Sequence, residues 1–327
     1  MILVCFGTRP EWLKIKPLIR LMNKTQYQLL FTGQHPDLLN DVDVDYKITI
    51  NESTNRLDSI ITNCMNQFPN GDFDSVLIQG DTGSAFGCAL AAFNRGIKIY
   101  YLEAGLRSYN LHHPYPEEAY RQMIARISDV NFCPTELSRQ NLIGERVLGK
   151  CYVVGNTVLD NLVDYKEKEE YTDTVLITLH RRENHHIMDR WFREINDIAK
   201  QYPYINFILP LHPNPNGQRW KGLLTNINVV DPLSHSELLN ILVKSKMVIT
   251  DSGGLQEEGT FFNKKVIVCR ETTERPEGIN TGHLYLCKEP TELNELFGKL
   301  IMRYYIDTEC PYGDGTSSHM ITRIINK

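Results

Sequence analysis

Short apolar runs alternate with longer helical segments along nearly the whole chain, and this alternation constrains the fold more than any other feature. The runs in the first half have the length and composition of buried strands. They are ILVCF (2–6), YQLLFTG (27–33), SVLIQGD (75–81), KIYYLEAG (98–105), VNFCP (130–134) and CYVVGN (151–156). Residues 10–24 and the alanine-rich residues 84–96 between them are predicted helices. Such alternation predicts parallel sheets with helices on both faces.

The alternation resumes after a charged stretch, DYKEKEEYTDT (164–174), which is either a solvated helix end or a linker. The later runs are VLITLH (175–180), INFILPLH (205–212), INVVDPL (227–233), KMVITDSGG (246–254), KKVIVCR (264–270) and LYLC (284–287). Helices are expected over 190–200 and 290–306. A chain of 327 residues has the length of two domains. We therefore expect an α/β protein with two Rossmann-like domains that face a cleft.

Composition argues against several classes of function. A net charge of −5 gives no basic surface for nucleic acid. The eight cysteines are scattered without a CxxC pair, and the histidine pairs lack HExxH spacing, so we expect reduced thiols, a cytoplasmic protein and no metal site. No run approaches the roughly 18 apolar residues of a membrane span.

Polar clusters follow strand after strand in both halves. They are GTRPE (7–11), GDTGS (80–84), EAGLR (103–107), GNT (155–157), HRREN (180–184), HPNPN (212–216) and DSGG (251–254). Ligands of open parallel sheets bind beyond the carboxyl ends of the strands. The clusters therefore predict binding or catalytic sites at the strand ends of both halves.

The segment TDSGGLQEEGTFF (250–262) has the pattern of a phosphate site. Main-chain amides of Gly253 and Gly254 at a helix N-terminus, with the hydroxyl of Ser252, could hold a diphosphate. Glu258 lies about one and two-thirds turns further on, where it could accept hydrogen bonds from a ribose diol. The alternative is a tight turn with a solvated glutamate. Neither GxGxxG nor GxxxxGK[ST] is present, so we expect no NAD and no cofactor.

Cations and carboxylates follow the other strands. Arg9 at a helix start and Lys14 one turn later could neutralise a leaving phosphate, and His180 at the end of its predicted strand precedes two arginines. Lys14 and His180 have simpler structural interpretations, as a surface lysine and a core histidine, whereas Arg9 at a strand end is harder to explain in this way.

Three carboxylates are candidate acid and base groups, namely Asp81, Glu103 and Glu117. Pro116 is predicted in the first turn of a helix and Glu117 follows it, so helix capping is a competing explanation for Glu117. Carboxylates that converge near phosphate-binding cations would suit proton abstraction and return at a sugar carbon.

In these clusters the chain closely resembles the non-hydrolysing UDP-N-acetylglucosamine 2-epimerases. The shared motifs span nearly the whole chain and include FGTRPEWLKIKPLI, GDTGS, LEAGLRS, PYPEEAYRQM, GNTVLDNL, LHRREN, LHPNPN, TDSGGLQEE and TTERPEG. The resemblance implies a glycosyltransferase-B-like fold. An N-terminal domain at 1–163 would carry the acid and base residues, a helix at 311–327 would pack back on it, and 171–310 would bind UDP.

The resemblance also implies roles for individual residues. Asp81, Glu103, Glu117 and His180 would be catalytic. The implied substrate-binding residues are Arg9, Lys14, Arg121, His212, Ser252, Gly253, Gly254, Glu258 and Arg275. The family inverts carbon 2 of a UDP-N-acetylhexosamine by eliminating UDP to form a glycal and adding it back, and it usually forms homodimers.

One departure from the family pattern bears on the substrate. NLHHPYPEE (110–118) stands where Ser-Pro-Trp-Pro is common, so the sugar could be UDP-N-acetylglucosamine or a 6-deoxy-L analogue. A UDP-sugar glycosyltransferase, a hydrolysing 2-epimerase and a non-catalytic nucleotide-sugar sensor are the alternatives.

Overall fold

The computed structural model describes residues 1–35, 42–181, 184–211 and 220–326. The chain divides into two compact units. Unit 1 comprises residues 1–161 and 312–327, and unit 2 comprises residues 162–311. The domains predicted from the sequence are 1–163 with the helix 311–327, and 171–310. Among the described residues, no helix is long and apolar enough to cross a bilayer.

Unit 1 is built on a parallel sheet with the order β3-β2-β1-β4-β5-β6-β7. The strands are β1 (Ile2–Phe6), β2 (Tyr27–Phe31), β3 (Tyr46–Lys47), β4 (Ser75–Gln79), β5 (Lys98–Leu102), β6 (Val130–Cys133) and β7 (Lys150–Val153). The helices between them are α1 (Arg9–Leu21), α2 (Arg56–Asn66), α3 (Gly83–Asn94), α4 (Glu117–Ile127) and α5 (Glu136–Gly144).

Side chains of alternate residues in these strands enter two different cores, one on each face of the sheet. On β1, Leu3 and Cys5 contribute to one core while Val4 and Phe6 contribute to the other. Because both faces are covered by helices, the strands carry apolar residues at consecutive positions rather than only at every second one. This explains why the strands of unit 1 are visible in the sequence as continuous apolar runs.

Unit 2 repeats the plan with a parallel sheet of order β10-β9-β8-β11-β12-β13. Its strands are β8 (Thr174–Thr178), β9 (Asn206–Pro210), β10 (Asn228–Val230), β11 (Met247–Thr250), β12 (Lys265–Cys269) and β13 (Leu284–Cys287). Its helices are α6 (Val163–Lys166), α7 (Met188–Gln201), α8 (His235–Leu242), α9 (Gly253–Phe261), α10 (Pro276–Asn280) and α11 (Leu293–Ile301). A last helix, α12 (Ser317–Ile325), belongs to unit 1.

The charged stretch 164–174 belongs to unit 2 over its whole length. Its start forms part of α6, and further on the backbone amides of Glu170 and Thr172 donate to the carbonyls of Val243 and Lys244. The ammonium of Lys264, which is fully buried, donates to the carbonyl of Glu170 at 2.8 Å. The stretch is therefore tied to the unit by its backbone although its side chains are polar.

Three local predictions differ from the structure. The predicted helix over 290–306 ends at Ile301, so the aromatic residues that follow lie outside it. Strand β8 ends at Thr178, and His180 lies two residues beyond it. Pro116 occupies the N-cap of α4 and not its first turn. In each case the period of apolar residues gives the element but not its end, because hydrogen bonds of the adjoining turn decide where it stops.

Candidate functional site

The candidate residues of unit 1 lie at one edge of its sheet. Strands β1, β4 and β5 are adjacent, with Ile2 aligned to Ser75 and Ser75 aligned to Lys98. Their carboxyl ends therefore bring the clusters GTRPE, GDTGS and EAGLR side by side. Each cluster supplies one or more of the predicted residues.

A buried glutamate organises the turn between β1 and α1. Thr8 caps α1, and Glu11 completes a capping box. The Oε2 atom of Glu11 accepts hydrogen bonds from the amides of Gly7 at 2.6 Å and Thr8 at 2.8 Å. Its other oxygen accepts one from the hydroxyl of Thr82, in the turn after β4. Burial raises the pKa of Glu11, and these hydrogen bonds oppose the increase. Glu11 thus joins two turns that carry candidate residues.

Two cations project from the start of α1. The side chain of Arg9, the first helical residue, is exposed beyond the end of β1. Lys14 lies farther along the helix, and its Nζ atom lies 2.5 and 2.6 Å from the two carboxylate oxygens of Glu103. The structure therefore brings Lys14 and Glu103 together.

Glu103 has a backbone conformation that is unusual for a residue with a side chain. It follows the last residue of β5 with a φ of 63°, in the left-handed region. Its carboxylate also accepts a hydrogen bond from the side-chain amide of Gln79 at the end of β4. Non-glycine residues in this region cluster at functional sites, where surrounding contacts offset the strain.

Asp81 and Arg121 form a second ion pair at the same edge. The Nε atom of Arg121 lies 2.6 Å from Oδ2 of Asp81, and its guanidinium also reaches Glu118 at 3.4 Å. Glu118 is fully buried and accepts hydrogen bonds from the amides of Ser108 at 2.9 Å and Tyr109 at 3.1 Å. Arg121 is thus held between one partly exposed and one buried carboxylate.

Glu117 is the first residue of α4, and Arg121 follows it by four positions on the same helix face. Behind this edge lies the buried phenol of Tyr101. Burial raises the pKa of Tyr101, and the negative charges of Asp81 and Glu103 raise it further. The phenol of Tyr101 is therefore an uncharged group next to the two carboxylates.

The turn after Glu103 requires glycine at position 105. Gly105 has a φ of 90°, and a Cβ atom there would lie 2.2 Å from the carbonyl oxygen of Ser138 on α5. Both backbone conformation and space therefore exclude a side chain. This fixes the direction in which the chain leaves Glu103.

In unit 2, a buried aspartate holds the turn after β8. The carboxylate of Asp251 accepts hydrogen bonds from the amides of His180 at 3.1 Å and Arg181 at 2.9 Å, and from the side chain of Asn184 at 3.0 Å. The His180 ring lies partly exposed, with Nδ1 3.7 Å from Oδ1 of Asp251. Asp251 therefore fixes His180 and Arg181 next to the turn that begins α9.

The N-terminus of α9 has the features of an anion site. Ser252 is its N-cap, and within the described residues its side chain makes no capping hydrogen bond, so the first amides of the helix are not occupied by it. A Cβ atom at Gly253 would lie 3.0 Å from Nη1 of Arg275 and 3.3 Å from Nη2 of Arg181. Two guanidinium groups thus lie close to these amides, while the residue after Gly253, Gly254, is exposed.

Arg275 is itself held by buried carboxylates. Its Nε atom lies 2.6 Å from Oε1 of Glu257 on α9, and Nη1 pairs with Glu274. Glu258, the next residue on α9, is buried, and its Oε1 atom lies 2.9 Å from Nε2 of His235 on α8.

The structure thus groups the predicted residues into two sets. Within unit 1 it joins Lys14 to Glu103 and Asp81 to Arg121, and within unit 2 it gathers His180, Ser252, Gly253 and Arg275. His212 lies outside the described residues. No group of three or more potential metal ligands occurs within the described ranges.

Sequence reasoning missed several residues that hold these groups in place, namely Glu11, Glu118, His235, Asp251 and Glu257. Only Glu11 had a readable signal, since Thr8-x-x-Glu11 is a capping-box pattern. Glu118 acts on nearby segments, whereas His235, Asp251 and Glu257 have partners that are distant in sequence.

Comparison with known proteins bears on the family. A family model described as UDP-N-acetylglucosamine 2-epimerase matches residues 19–326. The chain is also 35% identical to the UDP-N-acetylglucosamine 2-epimerase of Neisseria meningitidis, with 100% of this chain and 99% of the relative covered. The chain belongs to the UDP-N-acetylglucosamine 2-epimerase family. Like the other members of this family, it is an isomerase.

Solved structures agree with this family assignment and identify the type of fold. A crystal structure of UDP-GlcNAc 2-epimerase from Neisseria meningitidis bound to UDP-GlcNAc superposes with a TM-score of 0.85 at 33% identity, covering 99% of each chain. The glycotransferase of kitacinnamycin, only 10% identical, still gives a TM-score of 0.61 over 99% of this chain and 94% of its own. The fold of this epimerase-family member is therefore glycosyltransferase-B-like, as predicted.

Proposed function

We propose that this protein inverts carbon 2 of a UDP-N-acetylhexosamine and interconverts UDP-N-acetylglucosamine and UDP-N-acetylmannosamine. The observation that carries the proposal is the arrangement at the sheet edge of unit 1. There two carboxylates, Asp81 and Glu103, follow adjacent strands, and each is paired with a cation. Family membership and a relative solved with UDP-GlcNAc bound support the choice of substrate.

The proposed mechanism is elimination and re-addition of UDP. A carboxylate of unit 1 takes the proton from carbon 2, the bond between carbon 1 and the diphosphate oxygen breaks, and UDP leaves with the electron pair. The product is a glycal with a double bond between carbons 1 and 2. A second carboxylate then returns a proton to the opposite face of carbon 2 while the diphosphate oxygen attacks carbon 1.

The candidate carboxylates are Asp81, Glu103 and Glu117. Glu103 is ion-paired with Lys14, and Asp81 is ion-paired with Arg121. Either carboxylate can serve as the general base that accepts the proton from carbon 2. The third carboxylate, Glu117, would serve as the partner that donates one.

We propose that unit 2 binds the UDP part of the substrate. The amides at Ser252, Gly253 and Gly254 would hold the diphosphate, with His180 and Arg275 near them. Arg9 and His212 would assist the diphosphate or the sugar, and Glu258 would bind the ribose. Because the proton on carbon 2 is only weakly acidic, cations that stabilise the departing diphosphate lower the barrier as effectively as a stronger base.

The alternative substrate is a UDP-linked 6-deoxy-L analogue, which is suggested by the departure of NLHHPYPEE (110–118) from the family pattern. A proton NMR time course with both kinds of substrate separates the two.

The test of the function is solvent deuterium incorporation. In deuterated water the enzyme is expected to replace the proton on carbon 2 of the UDP-sugar with deuterium. Asp81→Asn, Glu103→Gln and Glu117→Gln are each expected to reduce exchange at least 100-fold while UDP still binds. Glu136→Gln, at an exposed carboxylate on α5, is the matched control and should exchange normally.

Four outcomes would reject the epimerase. Folded enzyme that leaves carbon 2 protonated contradicts the proposal, and UDP binding without turnover would indicate a sensor. Accumulation of free sugar and UDP would indicate a hydrolysing enzyme, whereas UDP release that needs an acceptor would indicate a glycosyltransferase.

We further propose that the protein is a homodimer. The resemblance to the family supports this, as does exposed apolar surface on the packed helices α3 and α4, where Phe93 and Met123 are 54% and 42% exposed. Light scattering after size exclusion should give twice the chain mass of 37.7 kDa; a monomer would contradict it.

A further inference from the structure

The contact between His235 and Glu258 has no part in the mechanism described above. Nε2 of His235 lies 2.9 Å from Oε1 of Glu258. Glu258 is 5% exposed, whereas the His235 side chain is 33% exposed. A buried carboxylate is thus joined to a histidine that solvent or a ligand can reach.

The structure holds both residues firmly. His235 is the first residue of α8, which is capped by Ser234 through a capping box with Glu237. The helix is anchored by the buried side chains of Leu239 and Leu242. Glu258 lies in the middle of α9, whose side chains are almost all buried. The imidazole and the carboxylate therefore meet with little freedom on either side.

The position of Glu258 along α9 relates the pair to the proposed nucleotide site. Glu258 lies six residues after Ser252, so it is about 9 Å along the helix axis from the N-terminus that we assign to the diphosphate. A ribose attached to that diphosphate spans a similar distance. The exposed part of His235 lies beside the carboxylate that would receive the ribose hydroxyls.

We propose that His235 is a positioning residue that orients Glu258 toward the ribose and thereby makes the site selective for the 2′-hydroxyl group. This inference rests on the proposed function, since it assumes that unit 2 binds UDP. The imidazole engages one carboxylate oxygen and fixes the plane of the group, so that its remaining lone pairs point to the hydroxyl donors.

Selectivity for the 2′-hydroxyl arises from the cost of leaving a buried acceptor without its donor. A carboxylate oriented to accept from a hydroxyl loses that hydrogen bond when the ligand lacks the hydroxyl, and a buried acceptor left without its donor is costly. Selection against 2′-deoxyribose therefore depends on a fixed carboxylate. Without His235, Glu258 can turn toward water or another donor, and the cost of a missing hydroxyl falls.

The experiment is a calorimetric comparison of UDP and 2′-deoxy-UDP binding to the full chain. Wild type is expected to bind UDP at least tenfold more tightly than 2′-deoxy-UDP, the ratio that one hydrogen bond to a charged group can supply. His235→Ala should weaken UDP binding about tenfold and 2′-deoxy-UDP binding less than twofold. The ratio between the two ligands then approaches one.

Three variants separate orientation from simple structural support. Glu258→Gln should also abolish the ratio, and the double variant with His235→Ala should bind no more weakly than Glu258→Gln alone, because coupled residues are not additive. His235→Gln retains a donor and should restore part of the ratio. Asn240→Ala, at an exposed position of the same helix, is the matched control and should behave as wild type.

The outcomes that overturn the inference are distinct from those that overturn the function. If His235→Ala binds both ligands with the wild-type ratio, or weakens both equally, the inference is wrong while UDP binding by unit 2 stands. If wild type binds neither ligand, the proposed function and the inference fall together.

Discussion

Buried charges beside the candidate sites are held by partners on other segments. Glu257 on α9 faces Arg275, which precedes α10, and both side chains are under 10% exposed. Asp251 is fully buried and receives amide hydrogen bonds from the turn after β8. Such groups are stable only while their partners remain, since an ion left alone in a buried position loses its hydration without compensation.

The ion pair of Glu257 and Arg275 gives a prediction about stability. Glu257→Gln removes one of the negative charges that face the buried guanidinium of Arg275. We expect the free energy of unfolding to fall by about 3 kcal/mol, measured by urea denaturation. Glu295→Gln, which breaks an exposed pair with Lys299, is the control and should have no measurable effect. Equal effects of the two variants would contradict the argument.

At the scale of elements, the turns after strands connect the candidate residues to the sheet. The capping box of α1 uses Glu11 both to begin the helix and to bind Thr82 at the start of α3. The last helix, α12, is attached in a similar way, because the carboxylate of Asp160 accepts hydrogen bonds from the amides of Ser317 at 3.2 Å and Ser318 at 2.6 Å.

Packing of α12 provides a prediction at this scale. Ile321 is fully buried in the core that also contains Ile15 and Leu18 of α1. Ile321→Ala would leave a cavity there, and we expect a loss of about 3 kcal/mol in the free energy of unfolding by urea denaturation. Met320→Ala changes a neighbouring side chain that is 41% exposed, and it should be nearly neutral. Unchanged stability of the Ile321 variant would show that α12 does not contribute to the core of unit 1.

At the scale of the whole molecule, stability depends on buried titratable groups that are uncharged in the folded protein. His283 is fully buried before β13, and its Nδ1 atom lies 2.8 Å from the hydroxyl of Thr281. Desolvation lowers the pKa of His283 from 6.5 to about 4. Between these values the unfolded chain binds more protons than the folded one, so stability is complete above pH 6.5 and is lost as the pH falls toward 4.

This linkage predicts the effect of a neutral substitution. Between pH 7 and pH 4.5, wild type should lose about 2 kcal/mol more unfolding free energy than His283→Gln, which has no proton to gain. Urea denaturation at the two pH values measures it. His319→Gln, at an exposed position of α12, should keep the wild-type difference. Parallel pH profiles for wild type and His283→Gln would contradict the assignment.

Individual strands, helix ends and ion pairs differ in how far the sequence predicts them. The strands of both sheets follow from apolar runs, because side chains that are buried on both faces leave no alternation to obscure them. The two-residue strand β3 and the end of the helix at Ile301 were not predicted, since neither has a distinctive apolar pattern. The ion pairs of Lys14 with Glu103 and of Arg121 with Asp81 join residues 89 and 40 positions apart, which no local pattern specifies.

The sequence by itself determined the class of the fold and the family, and it predicted the strand ends as the place of the chemistry, because burial and turn chemistry leave local signatures. Only the tertiary structure decided which side chains meet there, such as His235 with Glu258 or Asp251 with the turn of His180. Those contacts depend on the order and register of strands that are distant in the chain. The physical reason is that the interaction of a carboxylate with a donor or a cation depends on their distance in space and not on their separation in sequence.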